Sequence, residues 1–248
     1  MADTTYSISD LKILDASYIK ECSKVIAEAF SDDPTYRYVF RGTKAYRRNS
    51  LEWLFERNLK LTMGKSPSVL RGILNNETGQ VLCCFLWTPL EHSDLSMWEM
   101  LTAGLWEVPF RFGFPTLQRL LNLIDSMKAD GSNIGTHDGT TPLDSRNQEE
   151  SEKVYMIKLE RMAVLPSFQG RGLGSKALRS VLEEEQQKVN KMPGENPQIH
   201  IEFTTQLERN VQFYLRLGYK VTFDKDYYEE VSEYTFHSWH MMQVLTKQ

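Results

Sequence analysis

Few features of this 248-residue sequence point away from an ordinary soluble domain, and what it has little of excludes several function classes. It has only three cysteines, too few for a disulfide framework, and two of them, Cys83 and Cys84, are neighbours in an apolar run. Adjacent cysteines on a strand point to opposite faces and do not pair with each other, so they read as small buried hydrophobes of a reducing compartment. No apolar run approaches the roughly 20 residues that span a bilayer. The first ten residues are polar and lack the apolar stretch of a signal peptide, so a cytoplasmic address is expected, with no membrane partner. Basic excess is missing too: 29 Lys and Arg stand against 33 Asp and Glu, for a net charge of -4. Nucleic-acid binding, which needs a basic stripe, is therefore not expected. Arg47 and Arg48 form a pair on a solvated helix face, not a patch. The five histidines show no metal-ligand spacing: His237 and His240 are three apart on a predicted strand and face opposite ways. No metal site is expected.

What remains is 41% hydrophobic and 25% charged residues, enough for a sizeable core and a single domain over 1–248. The expected class is α/β in the mixed, α+β sense. Tyr6 to Leu14 reads as a first strand, and Asp15 as the N-cap of a helix reaching Phe30, which Ser31-Asp32-Asp33-Pro34 stops. A second helix is predicted over Tyr46 to Leu61. Ser68 to Leu74 and Gln80 to Trp87 form a hairpin around Asn75-Asn76-Glu77-Thr78-Gly79. Ser93 to Lys128 reads as helical, split at Gly113-Phe114-Pro115, and Ala129 to Glu152 as a long polar loop. The whole stretch of about 91–152 reads as an insert. Its Trp98, Trp106, Phe110, Phe112 and Phe114 suit a core, or the wall of a substrate pocket. A strand over Val154 to Val164, a helix from Leu173 to Lys191 and a strand over Gln198 to Thr205 follow. Then come a helix from Glu208 to Leu217 closed by Gly218, and strands at Tyr219 to Phe223 and Glu233 to Val244.

The chemistry concentrates at Leu165-Pro166-Ser167-Phe168-Gln169-Gly170-Arg171-Gly172-Leu173-Gly174. A strand runs into a glycine-rich turn that opens an amphipathic helix, whose apolar face is Leu173, Ala177, Leu178, Val181 and Leu182. Glycines let the backbone approach a ligand, and the first-turn N–H groups have no partners within the helix, so they can bind a pyrophosphate. The helix dipole adds only about 0.3–2 kcal/mol, so the N–H groups and Arg171 must supply most of the grip. A Walker A loop is excluded because Gly174-Ser175-Lys176 has the wrong order. A dinucleotide fingerprint is excluded because the third glycine is misplaced.

Gln169-x-x-Gly172-x-Gly174 resembles the acetyl-CoA pyrophosphate loop of GNAT acetyltransferases. Asn210-Val211-Gln212-Phe213-Tyr214-Leu215-Arg216-Leu217-Gly218-Tyr219 resembles the segment that follows strand five in the same family. Asp33-Pro34, Arg47-Arg48 and Trp87-Thr88 give it a closer look of the puromycin N-acetyltransferase-like branch, although Leu90 to Glu152 has no counterpart there. The resemblance implies a twisted, mostly antiparallel sheet of six or seven strands flanked by helices and splayed between strands four and five. Acetyl-CoA, the co-substrate, would lie in that splay. The implied activity moves its acetyl group to the primary amine of a small molecule, by direct attack in a ternary complex, in a monomer or homodimer. A protein lysine or N-terminal acetyltransferase, or a non-catalytic acetyl-CoA-binding module, are the alternatives.

By the same resemblance Met162, Ala163 and Val164 hold the carbonyl and pantetheine through their backbone. Gln169, Gly170, Arg171, Gly172, Leu173, Gly174 and Ser175 cradle the phosphates, and Asn210 and Phe213 also bind CoA. Tyr214 is implied as the acid for the departing thiolate; the residues alone also allow a core aromatic there. The base stays open. Strand alternation puts Lys158, Glu160, Met162 and Val164 on one face, and Glu160 is either a base or a structural salt bridge with Lys158 or Arg161. Puromycin-type relatives carry a glutamate where Thr204 stands, and Glu202 lies two residues away on the same face; a water chain is the third option.

Overall fold

The computed structural model describes residues 7–66, 69–90, 97–134, 154–229 and 234–248. Among these, seven strands form one sheet in the order β1-β2-β3-β4-β5-β7-β6. The strands are β1 (Lys12–Ile13), β2 (Leu70–Leu74), β3 (Val81–Pro89), β4 (Val154–Val164), β5 (Gln198–Thr205), β6 (Lys220–Glu229) and β7 (Tyr234–Thr246). Every neighbouring pair is antiparallel except β4 and β5. A parallel pair needs a crossover, and α7 (Leu173–Lys191) supplies it.

β3 is buried on both faces, which explains its unbroken apolar run Val-Leu-Cys-Cys-Phe-Leu-Trp. Val81, Cys84 and Leu86 join one cluster with Cys22, Ile26, Leu51, Phe55 and Leu59 of α1 (Ile19–Phe30) and α3 (Lys44–Lys65). Leu82, Cys83, Phe85 and Trp87 join the other, with Ala177, Leu178 and Val181 of α7. Cys83 and Cys84 thus do face opposite ways, and both are free thiols.

Several sequence expectations need correction. Asp15 caps a short 3-10 turn, Ala16–Tyr18, with α1 following directly. The first strand is only β1, with an isolated bridge from Ile8 to Asn75. Asp33-Pro34 stops α1 but also starts a helix: the Asp33 carboxylate accepts from Thr35 N at 2.9 Å and Pro34 occupies the first turn of α2 (Pro34–Val39). Arg47 is buried, not solvated. Its guanidinium donates to the carbonyls of Ser31 and Gly42 and so ties α3 to the turns before and after α2. The helical insert comprises α4 (Met97–Thr102), α5 (Val108–Phe112) and α6 (Phe114–Ile134), so the helix outlasts its expected end by one to two turns. Of its aromatics only Phe112 is packed, edge-on to Phe40 and Trp53; Trp98, Trp106, Phe110 and Phe114 are exposed. Tyr6, Ser68, residues 93–96, most of the expected loop (135–152) and Glu233 lie outside the described residues. The strand over Val154–Val164, the helix over Leu173–Lys191 and the strand over Gln198–Thr205 have the expected bounds.

Candidate active site

The site begins where the sheet comes apart. β4 and β5 pair from Val154↔Gln198 to Lys158↔Glu202 and no further, although β4 continues to Val164. A cleft of about 480 Å³ occupies the divergence. Met162 and Val164 line it from β4, and Asn210, Phe213 and Tyr214 from α8 (Glu208–Leu215). Gln169, Gly170 and Gly172 to Ser175 line it from the turn before α7.

Local geometry follows from the residue types. Gly170 and Gly172 take φ of 75° and 77°, the left-handed region that other residues avoid. Gly172 is the N-cap of α7, and no side chain caps that end. Lys176 N–H is the first to return to the turn, reaching the Gly172 carbonyl at 2.9 Å. The earlier N–H groups belong to residues that line the cleft. Gly174 permits close packing: a Cβ there would sit 3.3 Å from Phe213 and 3.4 Å from Met162. Gln169 Nε2 donates to the Val164 carbonyl at 3.1 Å and so fastens the turn to the end of β4. Asn210 Nδ2 donates to Thr205 Oγ1 at 3.2 Å and fastens α8 to the end of β5.

Tyr214 is buried among Phe203, Phe213 and Tyr219, with ring centroids at 4.2, 4.9 and 5.7 Å. Burial, reinforced by the Cys83 thiol, pushes its phenol well above the usual value, so it keeps its proton. Two expected cofactor residues do not line the cleft. Ala163 points into the α1–α3 cluster, and the Arg171 guanidinium lies 5.0 Å from the Phe168 ring centre.

The simple alternation expected for β4 fails at Arg161. Ala163 pairs with Cys84 and Glu160 with Leu86, leaving two β4 residues opposite Phe85 alone. This is a β-bulge, and Arg161 takes φ of 55° within it. The bulge reverses the faces, so Glu160 looks away from Met162 and Val164. Glu160 and Glu202 lie together on a second cavity, of about 260 Å³, which shares Phe30 with the first. Tyr36, Phe223, Tyr227 and Phe236 supply its aromatic walls. Glu160 lies 3.9 Å from Lys158 Nζ and 3.4 Å from Arg161 Nη1, and Glu202 lies 3.5 Å from His240 Nε2.

Sequence reasoning missed Ala29, Phe30, Asp33, Arg209 and Arg216 on the cleft, and Tyr36 and His240 on the second cavity. Asp33-Pro34 carried a local signal, and Arg209 and Arg216 flank the Asn210–Tyr214 stretch already singled out; Ala29, Phe30, Tyr36 and His240 reach the site through contacts distant in sequence. His237 and His240 do face differently: His237 contacts Asp224 and Asp226 instead. Among the described residues no group of three or more His, Cys, Asp and Glu is placed to hold a metal ion, and no helix is long and apolar enough to cross a membrane.

Residues 129–221 match the family model for the acetyltransferase (GNAT) domain, a span of less than half the chain. No curated protein matches. Among solved structures, the polyamine N-acetyltransferase of Drosophila melanogaster is 11% identical, over 96% of this chain and 100% of that one, with a TM-score of 0.54. A mosquito arylalkylamine N-acetyltransferase-like protein is 16% identical over 96% and 100%, with a TM-score of 0.51. The C-terminal condensation domain of Ebony, in complex with β-alanyl-dopamine, is 8% identical over 97% and 100%, with a TM-score of 0.58. Such identities speak for the fold alone. The splayed sheet, the helices on both its faces and the matched segment together give this chain the GNAT fold, with residues 129–221 similar to the GNAT acetyltransferase domain.

Proposed function

We propose that this chain is an acetyl-CoA-dependent N-acetyltransferase, in one domain, whose acceptor is the primary amine of a small molecule. One observation carries the reading: two cavities meet at the β4–β5 divergence, one ending on an uncapped helix N-terminus and the other holding two carboxylates. The first suits a pyrophosphate, because N–H groups and the helix dipole both favour an anion. Acetyl-CoA supplies an acetyl thioester there. The similar polyamine N-acetyltransferase forms N-acetylagmatine, and the other similar protein is named arylalkylamine N-acetyltransferase-like, in keeping with this reading.

Acetyl transfer makes three demands. An alkylamine with pKa of about 10.4 is neutral in only about one molecule per thousand near neutral pH, so a proton must leave. Glu160 and Glu202 are the candidates to take it. The carbonyl oxygen gains charge and needs a preorganised donor; the candidate is the backbone N–H of Met162, a residue of the bulge that lines the cleft. The departing thiolate needs a proton, and Tyr214 holds one beside the cleft. Gln169, Gly170, Gly172, Leu173, Gly174 and Ser175 would hold the phosphates and Asn210 and Phe213 the arm. Arg171 would have to swing from Phe168 to join them, and Ala163 would contribute its backbone only.

The deciding experiment is CoA thiol release over a panel of arylalkylamines, polyamines, aminoglycosides, amino acids, puromycin and lysine peptides. Release that depends on a free amine supports the reading, and puromycin turnover would support the puromycin-type likeness. Release on peptides alone would make the acceptor a protein. Acetyl-CoA binding with no release over the panel would indicate a non-catalytic module.

A further inference from the structure

At the back of the second cavity stands a polar group that the chemistry above leaves unused. His240, on β7, is buried. Strand pairing sets Thr204 of β5 opposite it, and β6 shifts register between Val221 and Phe223, so that Thr222 is the extra residue beside the ring. Thr222 Oγ1 lies 2.6 Å from His240 Nδ1 and 3.4 Å from the His240 carbonyl. The hydroxyl has one proton, and the shorter contact, to Nδ1, is the better place for it. Nε2 is then the N–H end of the ring, 3.5 Å from Glu202 Oε2, which as a carboxylate oxygen accepts.

Glu160 stands in contrast. Its neighbours are the cations Lys158 and Arg161. Glu202 is the carboxylate on this cavity that an imidazole N–H faces. The other charged or titratable groups around the cavity are Tyr36, Lys158, Glu160, Arg161, Lys225 and Tyr227.

We infer that His240 is the positioning residue for Glu202 as general base: its Nε2–H, with the ring held by Thr222 at the other nitrogen, sets the carboxylate toward the cavity. The inference rests on the acetyltransferase reading of this cavity. An N–H bond of the acceptor ammonium breaks, its electron pair stays on nitrogen, and the proton goes to Glu202. Glu202 returns that proton to solvent. The freed nitrogen pair attacks the thioester carbonyl carbon, and the nitrogen, cationic in the adduct, loses its second proton to water. The C–S bond breaks with its pair on sulfur, which takes the Tyr214 proton, and solvent restores the phenol.

The test compares two acceptors of similar shape, an alkylamine with pKa near about 10 and an alkoxyamine with pKa below about 6, which is already neutral at pH 7. His240→Leu removes the N–H that faces Glu202, and His240→Gln can restore a donor there. Expected for His240→Leu is a fall of about 10-fold or more in kcat/KM for the alkylamine, less than about 3-fold for the alkoxyamine, unchanged acetyl-CoA affinity, and at least partial recovery in His240→Gln. The alkylamine rate should also recover as pH rises toward the acceptor's own ionisation. An equal fall for both acceptors means a structural role and overturns the inference; no fall for either means that Glu202 or water works without His240, and overturns it too. If His240→Leu does not fold, Thr222→Val, which removes the hydroxyl that holds the ring, is put through the same comparison with the same two readings. Absence of CoA release from the unaltered protein with either acceptor overturns the acetyltransferase reading itself, so the two failures are distinguishable.

Discussion

Tyr214 is placed for both packing and the chemistry proposed for it. Its ring is held by Phe203 and Tyr219, while its residue lines the cleft. Tyr214→Phe keeps the ring and loses the proton, so kcat should drop about 100-fold or more, as for loss of a general acid. Acetyl-CoA affinity should stay within about 3-fold; steady-state kinetics and a binding titration check both. Asp33 makes a different prediction. Burial pushes its carboxyl up to about 6, against the opposing bond from Thr35. Between about 4, its unfolded value, and about 6 the folded protein therefore holds a proton that the unfolded chain has lost. Stability should fall as pH rises through that window, by on the order of 3 kcal/mol at most. Asp33→Asn keeps an oxygen for the Thr35 N–H and removes the titration. It should melt higher than the parent above pH 6, and the difference should vanish towards pH 4. Denaturant melts across that range read it directly.

At the level of elements, the turn into α7 and the bulge in β4 are the decisive pieces. Gly172 caps α7 at φ of 77°, and a Cβ there would meet no heavy atom within 4 Å. The cost of Gly172→Ala is thus one of backbone conformation, about 1–2 kcal/mol, which in a chain of this size lowers Tm by roughly 2–8 °C. If the turn's N–H groups hold phosphate, acetyl-CoA should also bind about 10-fold more weakly or worse, because the relaxed turn re-aims them. Calorimetry on the variant separates the two effects. Element types were legible where the pattern was local: the glycine-rich turn, the apolar face of α7 and the Asn75–Gly79 hairpin. α2 was not, since Asp33-Pro34 reads as a stop although the same pair is an N-cap and first-turn proline. The bulge left no signature either, because Arg161 at positive φ is stabilised by its setting and not by its residue type.

For the molecule as a whole, the divergence of β4 from β5 makes the cleft, and its ligand should bind only the folded chain. Acetyl-CoA at about 100 times Kd should add about 2.7 kcal/mol of stability, raising Tm by roughly 5–11 °C. Acetyl-pantetheine, without the pyrophosphate, should give a much smaller shift at equal concentration if the α7 turn is the anchor. Equal shifts in a thermal melt would place the anchor elsewhere in the cleft. The α1–α3 layer on one face and the α7 layer on the other meet through β3, so the cleft opens in a sheet held from both sides.

Taken alone, the sequence determined the mixed sheet-and-helix class, the bounds of the β4–α7–β5 unit and the glycine-rich turn before α7. Those features rest on periodicity, glycine and short-range hydrogen bonding, all of which act within a few residues. Tertiary structure alone decided which face Glu160 takes, that Arg47 is buried, and that most insert aromatics are exposed. It alone also brought Glu202 and Thr222 to His240. Each of these depends on a strand register or a packed neighbour tens of residues away, and no local pattern encodes such a contact.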